Sequence, residues 1–225
     1  MNIRLATRSV WVLLSMLAIG SCGLTACVGG LLESDQPAPE SYRLAAPAAS
    51  SNAYAAAAGK PATVAIVVAR LRAPSSLDTD RIAVVEAGRR FDYYAGVRWS
   101  EAAPQMLQQN LVTALTDSGA FAGVYAAPSR VPAELLLDVE LRRFEADTAA
   151  AGPPVAHVQV QASLVDSRRS DRVASFVSDA AVAASANRRA DIIDAFDRAS
   201  AQVVSDVVAR VSAASTQLAQ PSTSP

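Results

Sequence analysis

Two segments in the second half of the chain alternate with a period of two. In residues 134–145, Leu135, Leu137, Val139 and Leu141 fall on one side, and Asp138, Glu140 and Arg142 on the other. In residues 155–166, Val158, Val160, Ala162 and Leu164 oppose His157, Gln159, Gln161 and Ser163. That period belongs to strands with one face buried and one wet, the habit of antiparallel sheets. Further strands are expected at 42–44, 63–71, 81–85, 91–94 and 173–184, with a hairpin turn at 86–90 around Gly88. Such a sheet needs cover, and two amphipathic segments supply it. Residues 100–118 open on Ser100 as a cap, carry Leu107, Leu111 and Leu115 at four-residue intervals, and end at Gly119. Residues 190–213 place Ile192, Phe196, Ala199, Val203 and Val207 on one helical face. The expected fold is a single α+β domain, a mostly antiparallel sheet with two main helices packed on it.

The N-terminus has a different character. Arg4 and Arg8 precede an apolar run over 10–24, too short for a comfortable membrane span and of the length of a secretory h-region. The run ends in Leu24-Thr25-Ala26-Cys27, which resembles a bacterial lipobox. A diacylglyceryl group is carried on such a cysteine thiol, and small side chains before it admit the signal peptidase. Cys27 is therefore the expected lipidation site. Cys22, after Ile19-Gly20-Ser21, is the rival. On this reading 1–26 is a lipoprotein signal peptide, 27–40 a lipid-anchored tether punctuated by Gly29-Gly30 and Pro37-Ala38-Pro39, 41–213 the folded domain, and 214–225 a disordered C-terminal tail. Several acyl chains anchor stably where one does not. Val28 after the cysteine favours the outer membrane over the inner, with the domain facing the periplasm of a Gram-negative envelope.

Composition removes several classes of function. Twenty basic residues against 21 acidic ones leave a net charge of −1, without the basic surplus of a nucleic-acid binder. Alanine supplies 48 of 225 residues and Lys60 is the only lysine, so the apolar fraction of 51% reflects coding bias as much as core. One histidine and two cysteines cannot make an ordinary zinc site, and no metal or cofactor is expected. Gly59-Lys60-Pro61 lacks the P-loop spacing, so the chain is not itself expected to be an ATPase. His157 lies on the polar face of its strand; a hydrolase would have to use it, and no G-x-S-x-G elbow accompanies it. The pairs Arg168-Arg169 and Arg188-Arg189 read as solvated faces or helix starts. Aromatic residues concentrate in 91–99. Tyr93, Tyr94, Arg98 and Trp99 there are either core at a strand end or a partner-binding rim, since Tyr, Trp and Arg dominate binding hot spots.

The order of these features carries a resemblance. A lipobox is followed by Tyr42-Arg43-Leu44, a Val/Ile strand, and Leu77-Asp78-Thr79-Asp80-Arg81-Ile82-Ala83-Val84. An aromatic strand then leads to Trp99, a helix and Leu115-Thr116-Asp117-Ser118-Gly119-Ala120-Phe121. This resembles the ABC-type transport auxiliary lipoprotein family, which includes the paraquat-inducible protein C type, over residues 41–212. The resemblance implies a non-enzymatic, lipid-anchored periplasmic accessory subunit. Its partners would be an MCE-domain protein with an ABC permease and ATPase, moving phospholipids or other hydrophobic molecules between inner and outer membranes. Some relatives form rings, so homo-oligomerisation is a further expectation. The alternative is an envelope structural lipoprotein that binds cell-wall or outer-membrane components. The Ala-rich insert at 53–58 and the long tether depart from a typical member.

Overall fold

The computed structural model describes residues 38–46, 63–86, 89–148 and 152–219. Cys22, Cys27, the insert at 53–58, Lys60 and Gly88 lie outside the described residues. The elements run β1 (Glu40–Tyr42), β2 (Ala65–Val68), β3 (Arg81–Glu86), β4 (Arg90–Trp99), α1 (Ala103–Asp117), β5 (Gly123–Ala126), β6 (Leu135–Asp147), β7 (Val155–Asp166), β8 (Asp171–Ala183) and α2 (Arg189–Ala219).

The two alternating segments become β6 and β7, paired antiparallel along nearly their whole length, and β7 pairs β8 in the same way. The other edge of β6 forks. Its start pairs parallel with β2 at Leu135–Leu137, and its end pairs parallel with β3 at Glu145–Asp147. An isolated bridge between Arg72 and Glu140 spans the gap. β5 extends the β2 arm in parallel; β4 and then β1 extend the β3 arm. The sheet is thus a curled half-barrel with α1 and α2 packed on it. Its long ladders are antiparallel, as the alternation implies. Its four parallel pairings are short and involve residues far apart in sequence, so no local pattern announces them.

A bulge between Leu141 and Arg143 in β6 shifts the phase of burial. Before it Leu135, Leu137, Val139 and Leu141 face the core; after it Phe144 and Ala146 do. One extra residue in a pleated strand turns the next side chain to the other face. Phe144 thereby joins the core beneath α2.

α1 begins differently from expectation. Ser100 does not cap it: Ala102 occupies the N-cap position and no side chain bonds there. Pro104 fixes the first turn, where its ring dihedral suits a helix and its missing N–H costs nothing. The Ala103 N–H donates to the Thr79 carbonyl at 3.2 Å. The far end follows expectation. Gly119, at φ +62°, leaves the helix in the left-handed region, and its N–H donates to the Thr116 carbonyl at 3.1 Å. Leu107, Leu111 and Leu115 are all buried, each contributing about 1.5–3 kcal/mol by leaving water. Two buried amides lock the helix in place. Gln108 Nε2 donates to the Val68 and Ala69 carbonyls at 3.2 and 3.1 Å, and Asn110 Nδ2 to the Ala45 carbonyl at 3.1 Å.

α2 starts at the second basic pair. Arg188 Nε donates to Asp191 Oδ2 at 2.6 Å, and the Ser185 hydroxyl donates to Asp191 Oδ1. The Arg188 bond, then the Ser185 bond, hold the Asp191 carboxyl below its ordinary pKa. α2 runs to Ala219, so residues 214–219 are helical and do not belong to a disordered tail. The cause is a buried face that continues through Val211, Ser212 and Ser215. Its last positions are small and polar, so they do not read as an apolar stripe.

A single carboxylate ties the β2 arm to the turn between β7 and β8. Glu134 Oε2 accepts the Ala65 N–H at 2.8 Å, and Oε1 accepts Arg168 at 2.9 Å. The Ala65 N–H is the main reason that the Glu134 carboxyl sits below its ordinary pKa. A depressed native carboxyl contributes stability above its unfolded pKa and loses it as pH falls through the native value. Glu134→Gln should therefore lower the melting temperature at pH 7, with the deficit narrowing as pH falls below the ordinary glutamate range. A deficit constant across acid pH would contradict this role.

Candidate functional site

The aromatic segment 91–99 is the end of β4, and its geometry is set by an irregularity. Arg98 pairs with Arg81 while Tyr93 pairs with Ala83, so a two-residue step on β3 spans five residues on β4. Gly96, at φ +71°, sits within this bulge, a conformation that favours glycine. A bulge re-aims the side chains around it, and here the two tyrosines part company.

Tyr93 stays on the rim. Its hydroxyl donates to the Ser76 carbonyl at 3.0 Å, Arg81 stacks over its ring at 3.7 Å, and Phe91 meets it edge-on at 5.3 Å. Phe91 is 40% exposed. Arg98 is exposed and pairs with Asp80 at 3.5 Å. Phe91, Arg81 and Arg98 are exposed here and Tyr93 is half-buried among them, an aromatic and basic rim.

Trp99 is not part of it. The indole is fully buried, with ring centroids 5.5 Å from Phe144 and 5.3 Å from Phe196, which are themselves 4.9 Å apart. The core reading of this residue is the correct one, and the rim loses it. Its bulk fills the space where β4, β6 and α2 converge, at a site no short-range pattern defines.

Tyr94 turns to a cleft between β1, β3, β4 and the start of α2. Ile82, Val97, Ile192 and Ile193 make it apolar, and Tyr42 and Arg189 stand with Tyr94 around it. Glu40 links the last two: it accepts the Tyr42 hydroxyl at 2.8 Å and lies 3.5 Å from Arg189. The cleft holds about 230 Å³ including its open mouth. The buried Tyr94 hydroxyl has no protein partner, and burial raises its pKa. A buried hydroxyl without a partner carries a desolvation cost of about 1–3 kcal/mol. Tyr94→Phe should therefore leave the melting temperature unchanged or raise it; a fall of several degrees would mean that the hydroxyl holds a bond through water. Sequence reasoning named Tyr42, Tyr94 and Arg189 separately. What joins them is the parallel pairing of β1 with β4, between residues more than 50 apart in the chain.

His157 lies half-buried on the outer face of β7, opposite Glu145 and Ala181. Burial, then Arg143, hold its pKa below the ordinary value, against Asp147, Glu145 and Asp179. No cluster of three metal-binding side chains occurs among the described residues. None of the helices among the described residues is long and apolar enough to cross a membrane.

The domain has known counterparts. The sequence profile of the ABC-type transport auxiliary lipoprotein component matches residues 42–208, from the end of β1 into α2. Protein XCC0632 from Xanthomonas campestris, assigned to the DUF330 family, is similar in structure at 27% identity and a TM-score of 0.69; the match covers 82% of this chain and 98% of that one. A second solved structure, of an uncharacterized protein, shares the fold at 12% identity and a TM-score of 0.59, over 78% of this chain and 99% of that one. No curated protein matches the chain. Since the profile takes in the forked sheet, α1 and most of α2, the domain as a whole and not one motif within it makes this chain a member of the ABC-type transport auxiliary lipoprotein component family.

Proposed function

We propose that this accessory lipoprotein serves an ABC/MCE-type transport system that moves phospholipids or other hydrophobic molecules between the inner and outer membranes. The observation that carries the reading is the extent of the family match: it is nearly coextensive with the described fold. A docking subunit needs an anchor, reach and a contact surface. Cys27 is the proposed acylated anchor, held in the outer membrane with Val28 after it and the domain in the periplasm. Glu40 lies 13 positions after Cys27, so an extended tether would give at most about 45 Å of reach. Phe91, Tyr93, Arg81 and Arg98 form the proposed contact rim for an MCE-domain protein, itself joined to a permease and ATPase. Aromatic and arginine side chains of this kind anchor interfaces.

Deletion of the gene tests the transport role. Phospholipid should accumulate in the outer leaflet of the outer membrane, and the permeability barrier should weaken until the intact gene is restored. A deletion strain with normal lipid asymmetry and an intact barrier would contradict the proposal.

A further inference from the structure

The cleft beside Tyr94 sets an apolar wall against polar groups that donate. Ile82, Val97, Ile192 and Ile193 form the wall, and all four are buried. The Tyr42 hydroxyl is committed, donating to Glu40 Oε2 at 2.8 Å. The Tyr94 hydroxyl is buried and has no protein partner. Arg189 Nη1 reaches Glu40 Oε1 at 3.5 Å, longer than an ordinary N–H···O bond, and both side chains are more than half exposed. Arg189 Nη2 lies across the β4 bulge: a Cβ built on Gly96 would stand 3.7 Å from it. Glu86, the carboxylate that acts on Tyr94, is itself paired with Arg90 at 3.3 Å.

These groups define a ligand by complementarity. A buried hydroxyl without a partner gains from an acceptor brought to it away from water. A guanidinium held by one long bond favours a carboxylate, which it can grip with two donors. The aliphatic wall favours a branched hydrocarbon group beside that acceptor. Together they select an aliphatic carboxylate. Size narrows the choice. Even with its mouth counted, the cleft's 230 Å³ is the volume of about eight liquid waters. One branched side chain with its carboxylate fills that space, whereas a membrane acyl chain would leave most of its length in water.

We propose that the cleft binds the C-terminal residue of a partner polypeptide that ends in isoleucine, leucine or valine. The terminal side chain packs among Ile82, Val97, Ile192 and Ile193. The terminal carboxylate replaces Glu40 on Arg189 and accepts the Tyr94 hydroxyl. Glu40 keeps the Tyr42 hydroxyl and turns its other oxygen to water, so the exchange leaves no buried charge unpaired. Capture of a chain-end carboxylate is a recurrent mode of peptide recognition. The cleft does not share its residues with the rim of Phe91, Tyr93, Arg81 and Arg98, and its test needs no transport component.

The experiment uses the full chain in phosphatidylcholine nanodiscs. The probe is a fluorescein-labelled glycine–serine peptide ending in isoleucine with a free carboxylate, compared with its C-terminal amide. Fluorescence anisotropy should show binding of the acid peptide and about tenfold weaker binding of the amide, the loss expected when a charge-assisted bond is removed. Arg189→Gln should bring the acid peptide down to the level of the amide with an unchanged melting temperature, since Arg189 is exposed. Tyr94→Phe should weaken the acid peptide without lowering the melting temperature. Glu40→Gln should tighten it, because a competing carboxylate is gone. Absence of binding, equal binding of acid and amide, or undiminished binding by Arg189→Gln would overturn the proposal. So would Arg189-dependent binding of labelled laurate without binding of the acid peptide, which would assign the cleft to a fatty acid.

Discussion

Replacing Trp99 by alanine should destabilise the domain by about 3–5 kcal/mol, the cost of a large aromatic lost from a packed core. For a domain of this size that is a fall in melting temperature of roughly 6–20 °C. The reason is geometric. Trp99 brings β4 onto Phe144 of β6 and Phe196 of α2, at centroid distances of 5.5 and 5.3 Å, and is fully buried. Removing it leaves a cavity at the point where β4 and β6 meet the long helix. Trp99→Phe should be far milder. It keeps most of the ring packing, and it removes an indole N–H that has no protein partner. A rim residue would behave in the opposite way: alanine would leave the melting curve in place and weaken partner binding. Thermal unfolding of the two variants separates these outcomes.

The second large effect concerns the anchor. Cys27→Ala should abolish incorporation of labelled fatty acid, leave the unprocessed precursor and shift the protein out of its mature membrane-bound form. Each methylene of an acyl chain buried in a bilayer is worth about 0.8 kcal/mol, and several chains make attachment stable. Cys22→Ala should leave labelling and processing as they were. Labelling that survives Cys27→Ala and disappears with Cys22→Ala would move the anchor to the rival position and shorten the signal peptide by five residues.

Local pattern made much of this fold readable, and the unread parts share one property. The period of two placed β6 and β7, with 155–166 matching β7 at both ends. The leucine spacing placed α1 and its buried face, and Gly119 marked its end. Each of these is set by residues a few positions apart. The start of α1 differs from the Ser100 expectation because Pro104 and the Thr79 carbonyl take the place of the Ser100 side chain, and Thr79 lies two strands, β3 and β4, back along the chain. β5 passed unnoticed as Gly-Val-Tyr-Ala, four residues without a period, held by parallel pairing to β2. The end of α2 was hidden because Ser212 and Ser215 do the burying there.

The site was legible in its residues and not in its arrangement. Tyr93 is half-buried beside exposed Phe91 and Arg81, and Arg98 is exposed. Tyr94 leaves it for the cleft because β4 bulges around Gly96, and Trp99 leaves it for the core. A strict alternation through 91–99 would have kept Tyr93 and Trp99 on one face. The bulge breaks that phase, and no short motif encodes it.

The most direct test is which proteins this chain touches in the envelope. In-cell crosslinking of the tagged full chain, followed by affinity capture and mass spectrometry, should recover an MCE-domain protein with its permease and ATPase. Recovery of peptidoglycan-associated proteins alone, with no component of an ABC transport system, would contradict the account and favour a structural envelope lipoprotein.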